Sequence, residues 1–173
     1  RSDPVRIRIV ATSAVRDAPN RDGVVRALAA AAGRQVEVLS GEEEAAAIGA
    51  AVLEDPRLRG TPDIDVLDLG GGSLEWIAIR SGTVVALASF PVGAVRLLNR
   101  FGTGDAPIGA GVRAALGDVV SEALGPWALH TRPSGATAFC GTGGAFTISR
   151  AVLARDEGVP EEDVPVLPVA ALR

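Results

Sequence analysis

A chain of 173 residues with 47% apolar residues can bury the core of one domain or two small lobes, and its formal net charge of −4 argues against a nucleic-acid binder, which needs a basic stripe. The single cysteine, Cys140, excludes an internal disulfide framework and a multi-cysteine zinc site, and no apolar run approaches the length of a membrane span. With four Phe, two Trp and no Tyr, the core must be built from Val, Leu, Ile and Ala, which suits strands alternating with helices.

In chain order, Val5 to Thr12 alternates as a strand with its two arginines on one face, and Ser13 to Asn20 reads as a polar loop. Asn20 can cap a helix to Ala32 that turns Val24, Val25, Leu28 and Ala32 inward and stops at Gly33. Gln35 to Leu39 is a short strand. Ser40 and Glu43 have the spacing of a capping box and open an alanine-rich helix to Leu53. The charged stretch from Arg57 to Asp63, with Gly60 and Pro62, is expected to be a hinge between residues 1–62, the remaining part of a first lobe, and residues 63–173, most of a second. Ile64 to Leu69, Leu74 to Ile79 and Thr83 to Phe90 then form a three-stranded meander with Gly82 in its last turn. Helices are predicted over Val95 to Phe101 and Ile108 to Leu129, a strand over Ala136 to Cys140, a glycine loop over Gly141 to Gly144 and a helix over Ala145 to Arg155. Glu157 to Pro168 is an acidic, proline-rich surface loop.

All seventeen basic residues are arginine, a bias that reads as GC-rich coding sequence rather than function. The N-terminus is not a signal peptide, so a cytoplasmic location is expected. The chain opens on Arg1-Ser2-Asp3-Pro4 without methionine, which reads as a fragment or a processed chain.

The strongest chemical signal is Asp68-Leu69-Gly70-Gly71-Gly72-Ser73-Leu74-Glu75. A buried strand delivers an Asp to a turn without side chains, whose backbone can approach an anion and aim N–H groups at it. Ser73 adds a hydroxyl, and carboxylates such as Asp68 and Glu75 beside a phosphate cradle are a usual way of holding Mg²⁺. The plain alternative, a glycine-rich hairpin with solvated carboxylates, does not require three glycines or an Asp inside an apolar strand. No Gly-Lys-Ser/Thr follows, so this is not a Walker loop. Cys140-Gly141-Thr142-Gly143-Gly144 repeats the strand-to-helix arrangement and would offer amides at a helix start. Together the two loops suggest a phosphate chain gripped from two sides.

Glu42, Glu43 and Glu44 complement a helix dipole. Glu44 also precedes an alanine-rich face that can border a cleft, which makes it the candidate to orient and deprotonate water. Arg16 follows a strand; a phosphate contact and a surface pair with Asp17 are equally good readings of its position. His130 has no neighbouring His or Cys and is assigned no chemistry. Cys140 adjoins the second glycine segment but reads as a small buried residue, and Trp76 and Trp127 read as core or interface.

Four blocks, Ala11 to Asn20, Ser40 to Ala45, Asp68 to Glu75 and Gly141 to Gly144, resemble in order and spacing the exopolyphosphatase / guanosine pentaphosphate phosphohydrolase (Ppx/GppA) family. The resemblance implies an α/β, actin-like fold with ribonuclease H-like lobes, here truncated, and removal of terminal phosphate from polyphosphate or guanosine pentaphosphate with Mg²⁺ or Mn²⁺. It implies that Glu44 activates water, that Arg16 lines the phosphate channel, that Asp68 and Glu75 lie near the metal, and that Gly70 to Ser73 and Gly141 to Gly144 are phosphate loops. Family members are often dimers, so a homodimer is expected, with no nucleic-acid or membrane partner. Two departures stand out. Leu74 occupies a position that is usually Thr, and the family's opening Asp-x-Gly-Ser-Asn-Ser loop is absent, so the chain is expected to begin partway through the first lobe and to be inactive on its own. The rival readings are an actin-like-fold kinase, a polyphosphate or alarmone sensor without turnover, and an inert folded fragment.

Overall fold

The computed structural model describes residues 7–102, 106–128 and 138–161. A first parallel pair, β1 (Ile9–Ala11) and β2 (Val36–Val38), is joined through the short helix α1 (Ser13–Arg16) and helix α2 (Arg21–Ala32). Helix α3 (Gly41–Glu54) and a 3-10 turn, Pro56–Leu58, lead to the meander β3 (Ile64–Leu69), β4 (Leu74–Arg80) and β5 (Thr83–Phe90). Then come α4 (Ala94–Phe101), α5 (Ala110–Ala128), β6 (Ala138–Thr142) and α6 (Gly144–Glu157). The second sheet has the order β5-β4-β3-β6; the meander strands are antiparallel, and β6 joins parallel to β3.

Local chemistry explains the best-defined turns. The Ser40 hydroxyl accepts from the Glu43 amide at 3.1 Å while the Glu43 carboxylate accepts from the Ser40 amide at 2.7 Å, closing the expected capping box. Ser81 and Gly82 both adopt positive φ, 50° and 71°, which matches the twist a two-residue hairpin needs between β4 and β5.

The second sheet is covered on both faces. Ala45, Gly49 and Val52 form one stripe of α3, and Ala45 and Val52 join Ile64, Val66, Ile77 and Ile79 in one core. Across the sheet, Leu74, Ala88, Phe90 and Val92 form a second core with Leu67, Trp76, Leu97 of α4 and Val119, Ala123 and Leu124 of α5. Trp76 is thus a core residue, and Cys140 packs half-buried beside the first core, as the sequence suggested.

Several expectations need correction. The polar loop after β1 begins with the helical turn α1, because the Thr12 carbonyl accepts from both Val15 and Arg16 amides. Asn20 caps α2 without a side-chain hydrogen bond, and no residue of α2 is buried: Leu28 is 42% exposed and Ala32 is exposed, since a two-stranded sheet presents too narrow a face to cover them. Gly141 and Thr142 lie inside β6 rather than in a loop, because the parallel ladder continues until Thr142 pairs with Asp68. Glu157 still belongs to α6, and Gly158, with φ 68°, ends it; His130, residues 162–168 of the expected tail loop and the Trp127 side chain lie outside what is described.

Two glycines test this packing. Gly23 sits in the first turn of α2 with open space around it and no positive φ, so Gly23→Ala is expected to raise stability by about 0.4–1 kcal/mol. A Cβ at Gly49 would meet Val84 at 3.1 Å and Ile77 at 3.2 Å, so Gly49→Val is expected to lower stability by about 1–3 kcal/mol. Urea denaturation of both variants checks the pair.

Candidate functional site

Side chains alternate across a strand, so Asp68 lies on the same face of the second sheet as Val66, and Glu75 on the same face as Ile77. That is the face covered by α3. Asp68 and Glu75 are also direct partners in the β3–β4 ladder, and Glu75 pairs with Ser89 of β5. The first turn of α3 sits over this end of the sheet: a Cβ on Gly41 would overlap the Ser89 side chain. The same turn carries Glu44. Three carboxylates therefore gather beneath a helix N-terminus, where the dipole favours negative charge.

Each carboxylate is held differently. Glu75 is 1% exposed and accepts from the Ser89 hydroxyl at 2.7 Å. Burial pushes its carboxyl above the ordinary range; the Ser89 and Ser73 hydroxyls pull it back, and the Glu44 and Asp68 charges raise it further. Asp68 accepts from the Thr142 hydroxyl at 2.6 Å. Glu44 accepts from the Arg16 guanidinium at 3.0 Å, and the same Arg16 nitrogen donates to the Leu39 carbonyl at 2.9 Å. Arg16 is thus not a free surface residue: its side chain is 19% exposed, with Asp17 at 3.7 Å.

The glycine loop between β3 and β4 is anchored by its carbonyls. The start of α4 donates Ala94 N–H to Gly70 at 2.9 Å, and Val95 and Arg96 N–H to Gly71 at 2.8 and 3.0 Å. The Arg96 side chain donates from Nε to the Gly72 carbonyl at 2.8 Å. In a trans peptide the carbonyl and the following N–H point in opposite directions. The N–H groups of Gly71, Gly72 and Ser73 are therefore turned away from their carbonyl anchors, and they meet no acceptor among the described residues. None of Gly70, Gly71 and Gly72 has a positive φ, so their backbone could accommodate other residues. Space is what excludes a side chain at Gly72, where a Cβ would overlap Ser13 Oγ, while one on Gly71 would make only a tight contact, 3.3 Å from Val95.

Gly70 to Ser73 form one wall of a cleft of about 510 Å³ whose other walls include Thr12, Ser13, Asp17, Glu44, Val95, Arg96 and Asn99. A neighbouring cleft of about 490 Å³ is lined by Arg16, Asp17, Ser40, Ser73 and Ser89 and shares Asp17 and Ser73 with the first. Glu44 and the first glycine loop therefore meet in one cleft, with Arg16 next door. Gly141 to Gly144 do not line either cleft. They sit at the same sheet end, behind Asp68: β6 runs parallel to β3, and a Cβ on Gly143, φ 88°, would overlap Asp68 Oδ1 and the Leu69 carbonyl. Arg96 and Gly93 carried no sequence signal. A Cβ on Gly93 would overlap the Gly72 and Ser73 backbone, a need visible only once α4 is placed on the loop.

Among the described residues no group of three or more His, Cys, Asp or Glu is disposed to hold a metal ion. Asp68 and Glu75 nonetheless suit Mg²⁺, which needs only one or two carboxylates and keeps its remaining positions for water and phosphate. Facing carboxylates on paired strands repel, and a bound cation would offset both that repulsion and the burial of Glu75.

Glu75 makes the site's pH behaviour testable without substrate. A folded-state pKa raised above the ordinary value of 4.5 means that Glu75 stabilises the fold when protonated and loses that contribution as pH rises through its folded pKa. In metal-free buffer Glu75→Gln is expected to melt higher than the parent at pH 8, with the gap closing as pH falls through the raised folded pKa and gone below 4.5. A gap that widens toward acid would contradict the buried, proton-favouring environment; differential scanning fluorimetry across pH measures it.

The model of the Ppx/GppA phosphatase family matches residues 1–163. Exopolyphosphatase 2 of Mycobacterium tuberculosis is 41% identical over 134 residues, covering 74% of this chain and 40% of that protein. The crystal structure of an exopolyphosphatase from Cytophaga hutchinsonii superposes with a TM-score of 0.78 at 25% identity, covering 88% of this chain and 48% of that one. The Aquifex aeolicus PPX-GPPA enzyme gives a TM-score of 0.65 at 27% identity over the same shares. The chain thus spans less than half the length of these relatives, and its fold is of the α/β, actin-like class expected from its sequence. Among the described residues no helix is long and apolar enough to cross a membrane. With the family model matched over nearly its whole length and the glycine-loop cleft in place, the chain belongs to the Ppx/GppA phosphatase family.

Proposed function

We propose that this chain carries the hydrolytic cleft of a phosphoanhydride hydrolase that removes terminal phosphate from inorganic polyphosphate, with guanosine pentaphosphate as the second substrate of the same chemistry. The observation that supports this reading most is the presence, in one cleft, of a carboxylate and a row of backbone amides without acceptors. Such amides suit phosphoryl oxygens, whose charge they offset without reorganising.

In this reading the N–H groups of Gly71, Gly72 and Ser73 hold the terminal phosphoryl, and the Ser73 hydroxyl joins them by turning from the Glu75 carboxylate that it serves in the free protein. Gly141 to Gly144 act at one remove: Thr142 and Gly143 pack on Asp68 at the same sheet end and hold that carboxylate rather than the phosphoryl. Glu44, with one oxygen fixed by Arg16, orients a water and takes its proton as the water oxygen bonds to phosphorus and the bridging P–O bond breaks. Arg16 also supplies positive charge from the neighbouring cleft. Asp68 and Glu75 would hold Mg²⁺ or Mn²⁺, which when bound supplies further positive charge to the phosphoryl oxygens. Most of the rate comes from positioning and charge neutralisation, since little covalent chemistry falls to the protein in phosphoryl transfer.

Glu44→Gln keeps the shape of the side chain and removes its basicity. Phosphate release from polyphosphate is expected to fall about 10²–10⁴-fold while binding persists. Equal and measurable rates for parent and variant remove Glu44 from the mechanism. Calorimetric binding of polyphosphate by the parent without any release would favour a sensor, and release only in the presence of ATP and an acceptor would favour a kinase.

A further inference from the structure

We propose that Arg96 is a positioning residue of the hydrolytic site, and that its pair with Asp17 is the link that keeps the phosphate loop in register with Glu44. The proposal rests on the hydrolase reading above. Arg96 comes from α4, reaches the loop through the Gly72 carbonyl at 2.8 Å, and lies within 3.4 Å of Ser13 Oγ of α1. Its terminal nitrogen donates to the Asp17 carboxylate. Asp17 is at once 3.7 Å from Arg16, and Arg16 holds Glu44 at 3.0 Å.

One unbroken chain of polar contacts therefore runs from loop to base: Gly72, Arg96, Asp17, Arg16, Glu44. Its two ends are the groups that must meet the same phosphoryl. The Gly72 carbonyl and the Ser73 N–H belong to one peptide plane, so holding the carbonyl fixes where the amide points. Ser13 and Asp17 sit on the α1 turn that also carries Arg16, so whatever seats that turn also sets the far end of the chain. Arg96 needs its planar fork for this, because a lysine ammonium, a single point charge, would not satisfy a carbonyl and a carboxylate in two fixed directions. Arg96 touches no reacting atom in this reading; it acts through Gly72 and Asp17.

A bland electrostatic role makes opposite predictions. If Arg96 only supplied positive charge, Arg96→Lys would leave anion binding unchanged, and Asp17→Asn, by removing a negative charge beside the cleft, would tighten it. If the pair positions the site, both substitutions weaken it. The 173-residue chain is titrated with tripolyphosphate by calorimetry, with the Ser73 amide followed by ¹H–¹⁵N NMR and phosphate release measured as kcat and KM. Arg96→Lys and Asp17→Asn are each expected to weaken binding about ten-fold, the size of one lost charge-assisted hydrogen bond. The double variant is expected to be no worse than either single one, since both break one link. Both should melt with the parent, shift the Ser73 amide in the free protein, and lower kcat where turnover is measurable.

Binding by Arg96→Lys within two-fold of the parent, or tighter binding by Asp17→Asn, overturns the positioning role and leaves the hydrolase reading intact. A parent that neither binds nor hydrolyses overturns the hydrolase reading instead. In that case an unmoved Ser73 amide in Arg96→Lys overturns the link on its own, and a shifted amide upholds it as a structural coupling.

Discussion

The site depends on how a short stretch of backbone is turned. Gly70, Gly71 and Gly72 give their carbonyls to the start of α4 and to the Arg96 guanidinium, and the amides that follow are left on the other side. A loop that satisfied its own amides, as most buried turns do, would have nothing to offer an anion. Here the neighbouring helix takes the acceptors and leaves the donors free, at Gly70 and Gly71 with main-chain groups that cannot ionise or change rotamer and at Gly72 with the Arg96 side chain. The arrangement is fixed before any ligand arrives, which is the condition under which oriented dipoles contribute most to catalysis.

The same sheet end has to tolerate three carboxylates. Asp68 and Glu75 face each other across a ladder and Glu44 lies above them, a repulsive arrangement if all were charged and unpartnered. The fold offsets this with hydroxyls from Thr142 and Ser89, with the guanidinium of Arg16, and with the N-terminus of α3 pressed onto β5 at Gly41. Glu75, the deepest, answers by favouring its proton. A sheet end that gathers carboxylates beside amides without acceptors suits a phosphate that brings a cation with it.

Much of this was legible in the sequence, and the reason is that it is local. The meander over Ile64 to Phe90, the capping box at Ser40 and Glu43 and the stop at Gly33 each follow from residues within a few positions of one another. The glycine loop was visible as a motif, and its meeting with Glu44 in one cleft agrees with the resemblance. What the sequence hid was long-range. The strand β6 extends through Gly141 and Thr142 only because β3 offers a ladder as far as Asp68, a partner 74 positions away. Arg96 is one arginine among seventeen until α4 sets it between Gly72 and Asp17. The exposure of α2 depends on how few strands β1 and β2 bring to it, which periodicity within α2 cannot report.

The departure at Leu74 also looks different once the strand is placed. In sequence the position stands between Ser73 and Glu75, and Leu74 there removes one hydroxyl while keeping both flanking residues. In the sheet, alternation sends Leu74 to the opposite face, where it is 7% exposed and packs with Phe90, Trp76 and the α5 residues Val119 and Ala123. A hydroxyl at that position would lie among apolar side chains and away from the carboxylates. Adjacency along a strand is therefore a poor guide to adjacency in a site: Glu75 works with Asp68 and Ser89, seven and fourteen positions away, and Leu74 with the core that holds the strand in place.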